Sequence, residues 1–274
     1  MPGVQPACQV PPSGAARSHA RGRDCLATGH YARVVHGTDG QPHRLYRAVD
    51  QRKDQSYVLY TMDQDQLGYI TFRRQLDQAG GSPIGAHLWP ARRREGGEPE
   101  ICFVGKGSCR FRGKRRPDVT RPGEIVTTDG TAIGQHKGLV HHTIGQRKGI
   151  GVPRPEPLYA LRLDLAENRL VVGSRTEAEA VRVTAESVSL TQGIWPELPL
   201  EVTVSVRYRG TPMPATVSFG SEAERSATIE FDTDRPIAAP GQAVVFYDGD
   251  EVLGGGTIAT VQRAWEGAEA KAAG

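Results

Sequence analysis

A cysteine in a basic, glycine-rich segment is the residue best suited to chemistry in this sequence. Cys102 lies between Ile101 and Phe103, a setting in which a cysteine is often a small buried hydrophobe. Lys106 and Arg110 follow closely, and glycines between them loosen the backbone. Nearby positive charge lowers the pKa of a thiol and makes it nucleophilic. The segment therefore indicates a reactive thiol, with a buried structural cysteine as the alternative.

The four cysteines do not have the spacing of a structural metal site. Six residues separate Cys102 from Cys109, whereas paired zinc ligands are usually about two to four residues apart. Together with Cys8 and Cys25 they all lie within the first 109 residues. They are too few and too clustered to staple a chain of 274 residues. We therefore expect no bound metal and reduced thiols, as in a cytoplasmic protein.

Two polar patches lie where strands and helices are predicted to begin or end. Gly29 and His30 follow a short apolar run, so they would lie at the carboxyl end of a strand, where α/β folds bind ligands. A histidine that merely satisfies a turn is the alternative. Dense polar groups at residues 53–55 precede spacing that predicts a helix over residues 55–68. These groups could cap that helix or hold phosphates.

The distribution of charge favours an anionic partner more than the net charge of +3 does. Residues 92–121 contain ten basic and four acidic side chains. Within them, residues 110–116 interleave basic groups with a phenylalanine. Such a segment attracts phosphates through counterion release. A solvated basic loop is the alternative.

The second half of the chain has the pattern of an all-β protein. Short apolar runs recur about every 10–15 residues with turn residues between them, which predicts one or two small β-barrels. Alternating apolar residues at 202–206 and 227–231 are the clearest strands. No apolar run approaches the roughly 18 residues of a membrane span, and no signal peptide is evident.

Six motifs, in this order, resemble those of tRNA-specific 2-thiouridylases. The resemblance extends from about residue 24 to residue 258. The motifs are residues 27–33, 53–57, 100–105, 134–136 with 143–151, 168–173, and 240–242 with 253–256.

The resemblance implies a reaction and its participants. These enzymes use ATP, bound with magnesium, to adenylate the C2 oxygen of the wobble uridine in tRNA. A cysteine persulfide then delivers sulfur to C2. The implied partners are tRNA and a protein that donates persulfide sulfur, with no membrane. Such chemistry requires a low-pKa thiol and a surface that holds an unstacked base.

The resemblance also assigns roles by position. Cys102 matches the persulfide cysteine, and Gly29 matches a backbone contact to ATP. The matches to tRNA-contacting residues are His30, Lys53, Asp54, Gln55, Arg207, Tyr208 and Gln242.

The fold implied is α+β or mostly β. A remnant of an α/β adenine-nucleotide hydrolase-like domain would be followed by two small β-barrel-like domains. We place an irregular segment at residues 1–23 and a tail at residues 265–274. Between them we expect the remnant of an ATP-pyrophosphatase-type catalytic domain at 24–105, a β-rich domain at 106–195 and a barrel at 196–264.

The sequence departs from the family in two places. It contains no Ser-Gly-Gly-Val-Asp-Ser type loop for the ATP pyrophosphate, and residues 73–98 are rich in arginine and glycine where a helix is usual. We therefore expect that this chain alone does not thiolate tRNA. The main alternative is a non-catalytic tRNA-binding module. A translation-factor-like barrel protein is a further alternative, which the setting of Cys102 disfavours because that role requires no thiol.

Overall fold

The computed structural model describes residues 17–20, 23–72 and 117–266. The chain divides into two compact units. The first comprises Met1–Pro90, Arg182–Pro236 and Pro240–Val261, and the second comprises Ala91–Val181, Ile237–Ala239 and Gln262–Gly274. The domain boundaries expected from the sequence stay predictions.

Strands dominate the described residues. They are β1 (Arg17–Ala20), β2 (Arg23–Thr28), β3 (Ala32–Val35), β4 (Arg44–Arg47), β5 (Ile70–Phe72), β6 (Gly123–Val126), β7 (Ala132–His136), β8 (Tyr159–Asp164), β9 (Arg169–Gly173), β10 (Ala180–Leu190), β11 (Leu200–Ser205), β12 (Met213–Phe219), β13 (Ala227–Glu230), β14 (Ala243–Asp248) and β15 (Glu251–Arg263). Two short α-helices are α1 (Gln64–Tyr69) and α2 (Arg175–Ala178). Short 3-10 turns occupy Gln51–Lys53, Ser56–Val58, Pro117–Thr120 and Leu139–His141.

A closed six-stranded barrel forms the core of the first unit. Its strands follow the order β10-β13-β12-β11-β14-β15, and β15 pairs again with β10. Val204, Val217 and Ile229 are buried on the strands β11, β12 and β13, because alternate residues of a strand point to the same face. The mostly-β fold and the small barrel predicted from the sequence are therefore confirmed.

The N-terminal strands extend the sheet of this barrel. The pair Val252 and Leu45 aligns β15 with β4, and β4 pairs in turn with β3. A separate three-stranded sheet has the order β1-β2-β5. In it β2 runs parallel to β5, with Leu26 opposite Ile70. Both side chains are buried.

The prediction of one helix over residues 55–68 is wrong. Only α1 is an α-helix there, and it begins after Asp63, whose side chain accepts a hydrogen bond from the backbone N–H of Gln66. Leu59 and Tyr60 are instead buried in the core of the first unit. These apolar side chains pack into the core from an irregular segment. Tertiary contacts therefore override helical propensity here.

The second unit contains a four-stranded sheet of order β7-β6-β9-β8. Ile125, Leu170 and Val172 are fully buried in its core, with Leu139 and Ile150 packed beside them. α2 begins with a reciprocal cap between Ser174 and Glu177.

Closure of the barrel predicts a glycine position that does not tolerate a side chain. Gly254 has φ +150°, and a Cβ there would lie 2.1 Å from the backbone oxygen of Ser189. We expect Gly254→Ala to lower the free energy of unfolding by about 3 kcal/mol, because it adds backbone strain and a collision with a neighbouring strand. Urea unfolding followed by circular dichroism measures this loss.

The matched control is Gly29→Ala. Gly29 lies outside the left-handed region, and its added Cβ would meet no atom within 4 Å. The midpoint of its urea unfolding should stay close to that of the wild type. Equal midpoints for Gly29→Ala and Gly254→Ala would contradict the close approach of β10 to β15 at Gly254.

Candidate functional site

One pocket in the first unit brings together two residues that the sequence placed far apart. It has a volume of about 440 Å³. Asp54 and Tyr57, which follow β4, line it together with Tyr208 and Arg209, which follow β11. Tyr247 of β14 also contributes to the lining. Asp54 and Tyr208, both matched to tRNA-contacting positions, thus share one cavity.

The carboxylate of Asp54 organises its own segment. Its Oδ1 accepts hydrogen bonds from the backbone N–H groups of Ala48 at 2.8 Å and Ser56 at 3.3 Å. Its Oδ2 accepts from the Ser56 hydroxyl at 2.7 Å. Ser56 is fully buried. Asp54 therefore shapes the loop that lines the pocket.

Lys53 and Gln55 connect this loop to its neighbours. The Lys53 ammonium lies 3.1 Å from the Asp50 carboxylate, and this contact lowers the pKa of Asp50. The same ammonium lies 5.7 Å from the ring centroid of Tyr31. Gln55 accepts a hydrogen bond from the backbone N–H of Tyr31 at 3.0 Å and donates its own backbone N–H to the Tyr31 carbonyl at 2.8 Å.

Gly29 and His30 lie where the sequence predicted, just after the carboxyl end of β2. Gly29 is exposed and His30 is half-buried. The His30 Nδ1 lies 3.2 Å from the Thr28 hydroxyl. Burial lowers the pKa of His30, so its imidazole is neutral at pH 7.

This strand end lacks the groups that hold the phosphates of ATP. A triphosphate requires several converging N–H donors or cations, and residues 28–30 include no cationic side chain at pH 7. The described residues at this strand end therefore do not form a triphosphate site.

A tight turn after β11 presents the residues matched to tRNA contacts on the barrel. The backbone N–H of Gly210 donates to the carbonyl of Arg207 at 3.0 Å. Arg209 has φ +58°, and its guanidinium lies 5.3 Å from the ring centroid of Tyr208. Tyr208 is 42% exposed, and its ring lies 6.1 Å from that of Tyr57. Arg207 is exposed beside the pocket.

Gln242 does not join this group. It is exposed and directly precedes β14, where its carbonyl accepts a hydrogen bond from the backbone N–H of Ile258 at 2.8 Å. Gln242 is not among the residues that line the pocket. Its neighbour Ala243, however, accepts the hydrogen bond from the hydroxyl of Tyr57, which does line the pocket.

The predicted site residues include only Asp54 and Tyr208 of the pocket lining, and Arg47 and Tyr247 are among those they lack. The guanidinium carbon of Arg47 lies 3.8 Å from the ring centroid of Tyr247. Burial raises the pKa of Tyr247 to about 12. Arg47 ends β4 and Tyr247 lies in β14, so no local motif joins them. Only the run of basic and aromatic residues around each strand end could have suggested a shared site.

Cys102, the predicted sulfur carrier, lies outside the described residues, and its role stays a prediction. In the parts of the chain that the structure describes, no group of three or more histidine, cysteine or acidic side chains could hold a metal ion. No helix in those parts has the length and apolar character needed to cross a bilayer.

The hydrogen bonds of Asp54 predict how much stability the protein loses when this carboxylate is removed. Asp54→Ala leaves the buried Ser56 hydroxyl and the N–H of Ala48 without their acceptor. We expect a loss of about 2 kcal/mol in the free energy of unfolding, measured by urea denaturation. Asp54→Asn keeps one acceptor oxygen and should cost less. Equal costs for both variants would show that the hydrogen bonds do not determine stability here.

The raised pKa of Tyr247 predicts a loss of stability at alkaline pH. An unfolded tyrosine ionises near pH 10, below the folded value of about 12. Between these values the unfolded chain binds fewer protons at this position, so Tyr247 lowers the free energy of unfolding by about 1.4 kcal/mol per pH unit. Tyr247→Phe should make that decline shallower in urea titrations across this range. Tyr69→Phe, at an exposed tyrosine, is the control and should leave the decline unchanged.

Three family profiles match the chain in succession. Residues 14–106 match the tRNA methyl transferase HUP domain. Residues 115–174 match the tRNA methyl transferase PRC-barrel domain. Residues 181–258 match the aminomethyltransferase beta-barrel domain.

Curated relatives agree with these profiles. The tRNA-specific 2-thiouridylase MnmA of Roseiflexus castenholzii is 38% identical over 260 residues, covering 89% of this chain and 70% of the relative. The protein of the same name from Roseiflexus sp. is 39% identical over 264 residues, with the same coverage. That of Trichormus variabilis is 39% identical over 238 residues, covering 86% of this chain and 67% of the relative. The chain therefore belongs to the family of tRNA-specific 2-thiouridylases.

Proposed function

We propose that this protein takes part in the 2-thiolation of wobble uridine in tRNA. The observation that carries the proposal is the meeting of Asp54 and Tyr208 in one pocket. Both residues match tRNA-contacting positions of the family to which the chain belongs. Arginines and exposed aromatic rings are the side chains with which proteins hold unpaired nucleotides, and this pocket contains both.

The charge of the pocket supports binding of a nucleic acid. Arg47, Arg52 and Arg209 line it, against a single acidic residue, Asp54. Lys53 follows Arg52 in the sequence, and its ammonium pairs with Asp50. Cationic side chains bind the phosphates of RNA and release counterions, so affinity should fall steeply with salt.

The sulfur chemistry is proposed from the sequence. Cys102 would carry a persulfide supplied by a donor protein, and ATP with magnesium is the cofactor that the family resemblance implies. The match to a HUP domain supports ATP use. Cys102 lies between two apolar residues, and Lys106 and Arg110 follow closely in the sequence. The two positive charges support a reactive thiolate. A cytoplasmic location agrees with this requirement for reduced thiols.

A non-catalytic tRNA-binding module is the second candidate. It is favoured by the composition of the pocket, because none of the described residues that line it is a cysteine. The two candidates differ in whether Cys102 receives and passes on sulfur.

Sulfur loading of Cys102 tests the catalytic proposal. We expect the wild-type chain, incubated with a persulfide donor, to gain about 32 Da, one sulfur atom, on the peptide that contains Cys102. Cys102→Ser should abolish the gain and keep the tRNA dissociation constant within about twofold. Peptide mass spectrometry and filter binding measure the two quantities.

Cys109→Ser is the matched control, because it removes a neighbouring thiol and should leave loading of Cys102 intact. Binding of tRNA without loading of Cys102 would support the non-catalytic module. Failure of the wild-type chain to bind tRNA would contradict both candidates.

A further inference from the structure

We infer that a C-terminal segment, residues 263–266, holds a basic loop, residues 143–149, in its folded position. The connection between them runs through β8 and residues 237–239. All four parts belong to the second unit. The family profile that matches the barrel ends at residue 258, so the C-terminal segment lies beyond it. This role goes beyond the proposed function and does not depend on it.

Trp265 fixes the C-terminal segment against β8. It is 9% exposed and packs in one cluster with Leu161 and Ala178, which are fully buried. The guanidinium carbon of Arg162 lies 5.8 Å from the centroid of the Trp265 ring. The indole N–H is buried and has no hydrogen-bond partner among the described residues. Packing of the large aromatic ring, rather than a hydrogen bond, therefore holds Trp265 in place.

Arg263 fixes the same segment against residues 237–239. Its guanidinium is buried and donates a hydrogen bond to the carbonyl of Ala238 at 3.2 Å. It also lies 3.7 Å from the carboxylate of Glu266, which accepts a hydrogen bond from the backbone N–H of Arg263 at 2.9 Å. A buried charge is costly unless it is paired and hydrogen-bonded. These two partners therefore hold Arg263 in one position.

The basic loop contacts the neighbours of Trp265 on two sides. The backbone N–H of Gly145 donates to the Ala160 carbonyl at 2.8 Å, and the backbone N–H of Ala160 donates to the Gln146 carbonyl at 2.9 Å. Ile237 lies so close that a Cβ at Gly145 would be 3.0 Å from its Cγ2. Ile237 also packs against the cluster that contains Trp265. Displacement of Trp265 would therefore disturb both contacts of the loop.

The loop itself presents two basic side chains. Arg147 and Lys148 are exposed, and neither forms an ion pair with a described residue. The Gln146 side chain accepts a hydrogen bond from the Thr143 backbone N–H at 3.0 Å and donates one to the Lys148 carbonyl at 2.7 Å. Trypsin cleaves after arginine and lysine, and cleavage within a folded loop requires local opening. The cleavage rate after Arg147 and Lys148 therefore measures how firmly the loop is held.

Limited trypsin digestion of the full 274-residue chain, followed by peptide mass spectrometry, tests this role. Trp265→Ala removes the packed ring, and Arg263→Gln removes the buried charge. We expect each variant to raise the rate of cleavage after Arg147 and Lys148 about tenfold. Trp265→Phe keeps an aromatic ring and removes only the unpaired donor, so it should change this rate less than about twofold.

Trp195→Ala is the matched control. Trp195 is a partly buried tryptophan of the first unit, where its ring packs against that of Phe219. Its removal should leave cleavage of the basic loop unchanged. Cleavage after Arg207, which is exposed in the first unit, provides an internal reference. It should change less than about twofold in the Trp265 and Arg263 variants.

Each other outcome overturns the inference. Wild-type cleavage of the loop in both Trp265→Ala and Arg263→Gln would show that the C-terminal segment does not hold it. An equal increase after Arg207 would show that the loss of structure extends to the first unit. An increase in Trp265→Phe as large as in Trp265→Ala would contradict ring packing as the cause. An increase in Trp195→Ala would show that the loop responds to any loss of stability.

Discussion

The packing of Tyr60 on Gly255 is the constraint on which the site depends. A Cβ at Gly255 would lie 2.7 Å from the Tyr60 ring and 2.4 Å from the carbonyl oxygen of Val244. Only a glycine allows the segment after β4 to lie this close to β15. Because the segment lies there, Tyr57 reaches the Ala243 carbonyl and the loop held by Asp54 faces the turn after β11.

This attachment explains how residues from two parts of the chain form one surface. β4 pairs with β15, so the N-terminal strands continue the sheet of the barrel. The loop after β4 and the turn after β11 line one pocket together with Tyr247 of β14. The guanidinium groups of Arg47 and Arg209 each lie near the ring of a tyrosine, which restricts their orientation.

The sequence predicted those features that depend on local patterns. Alternation at Val204 and Ile229 indicated barrel strands, because side-chain direction follows directly from strand geometry. Gly29 and His30 were expected at a strand end for the same reason. The family profiles and relatives confirmed the resemblance that the ordered motifs had indicated.

Features that depend on tertiary packing were not predictable. Residues 55–68 have apolar spacing typical of a helix, yet the Asp54 carboxylate holds Ser56 and the Asp63 carboxylate caps a separate short helix at Gln66. The stacking of Arg47 on Tyr247 joins positions with no sequence signal in common. Gln242 is matched to a tRNA contact like Asp54 and Tyr208, yet it does not line their pocket.

A double-mutant cycle on tRNA affinity tests the central claim most directly, namely that the loop after β4 and the turn after β11 hold the same part of the tRNA. Arg47→Gln, Tyr208→Ala and the double variant would be compared by filter binding at one salt concentration. If both side chains hold one nucleotide, the effects are non-additive, with a coupling energy above about 0.5 kcal/mol. Strictly additive effects would show that the two elements act on separate parts of the tRNA and would contradict the account.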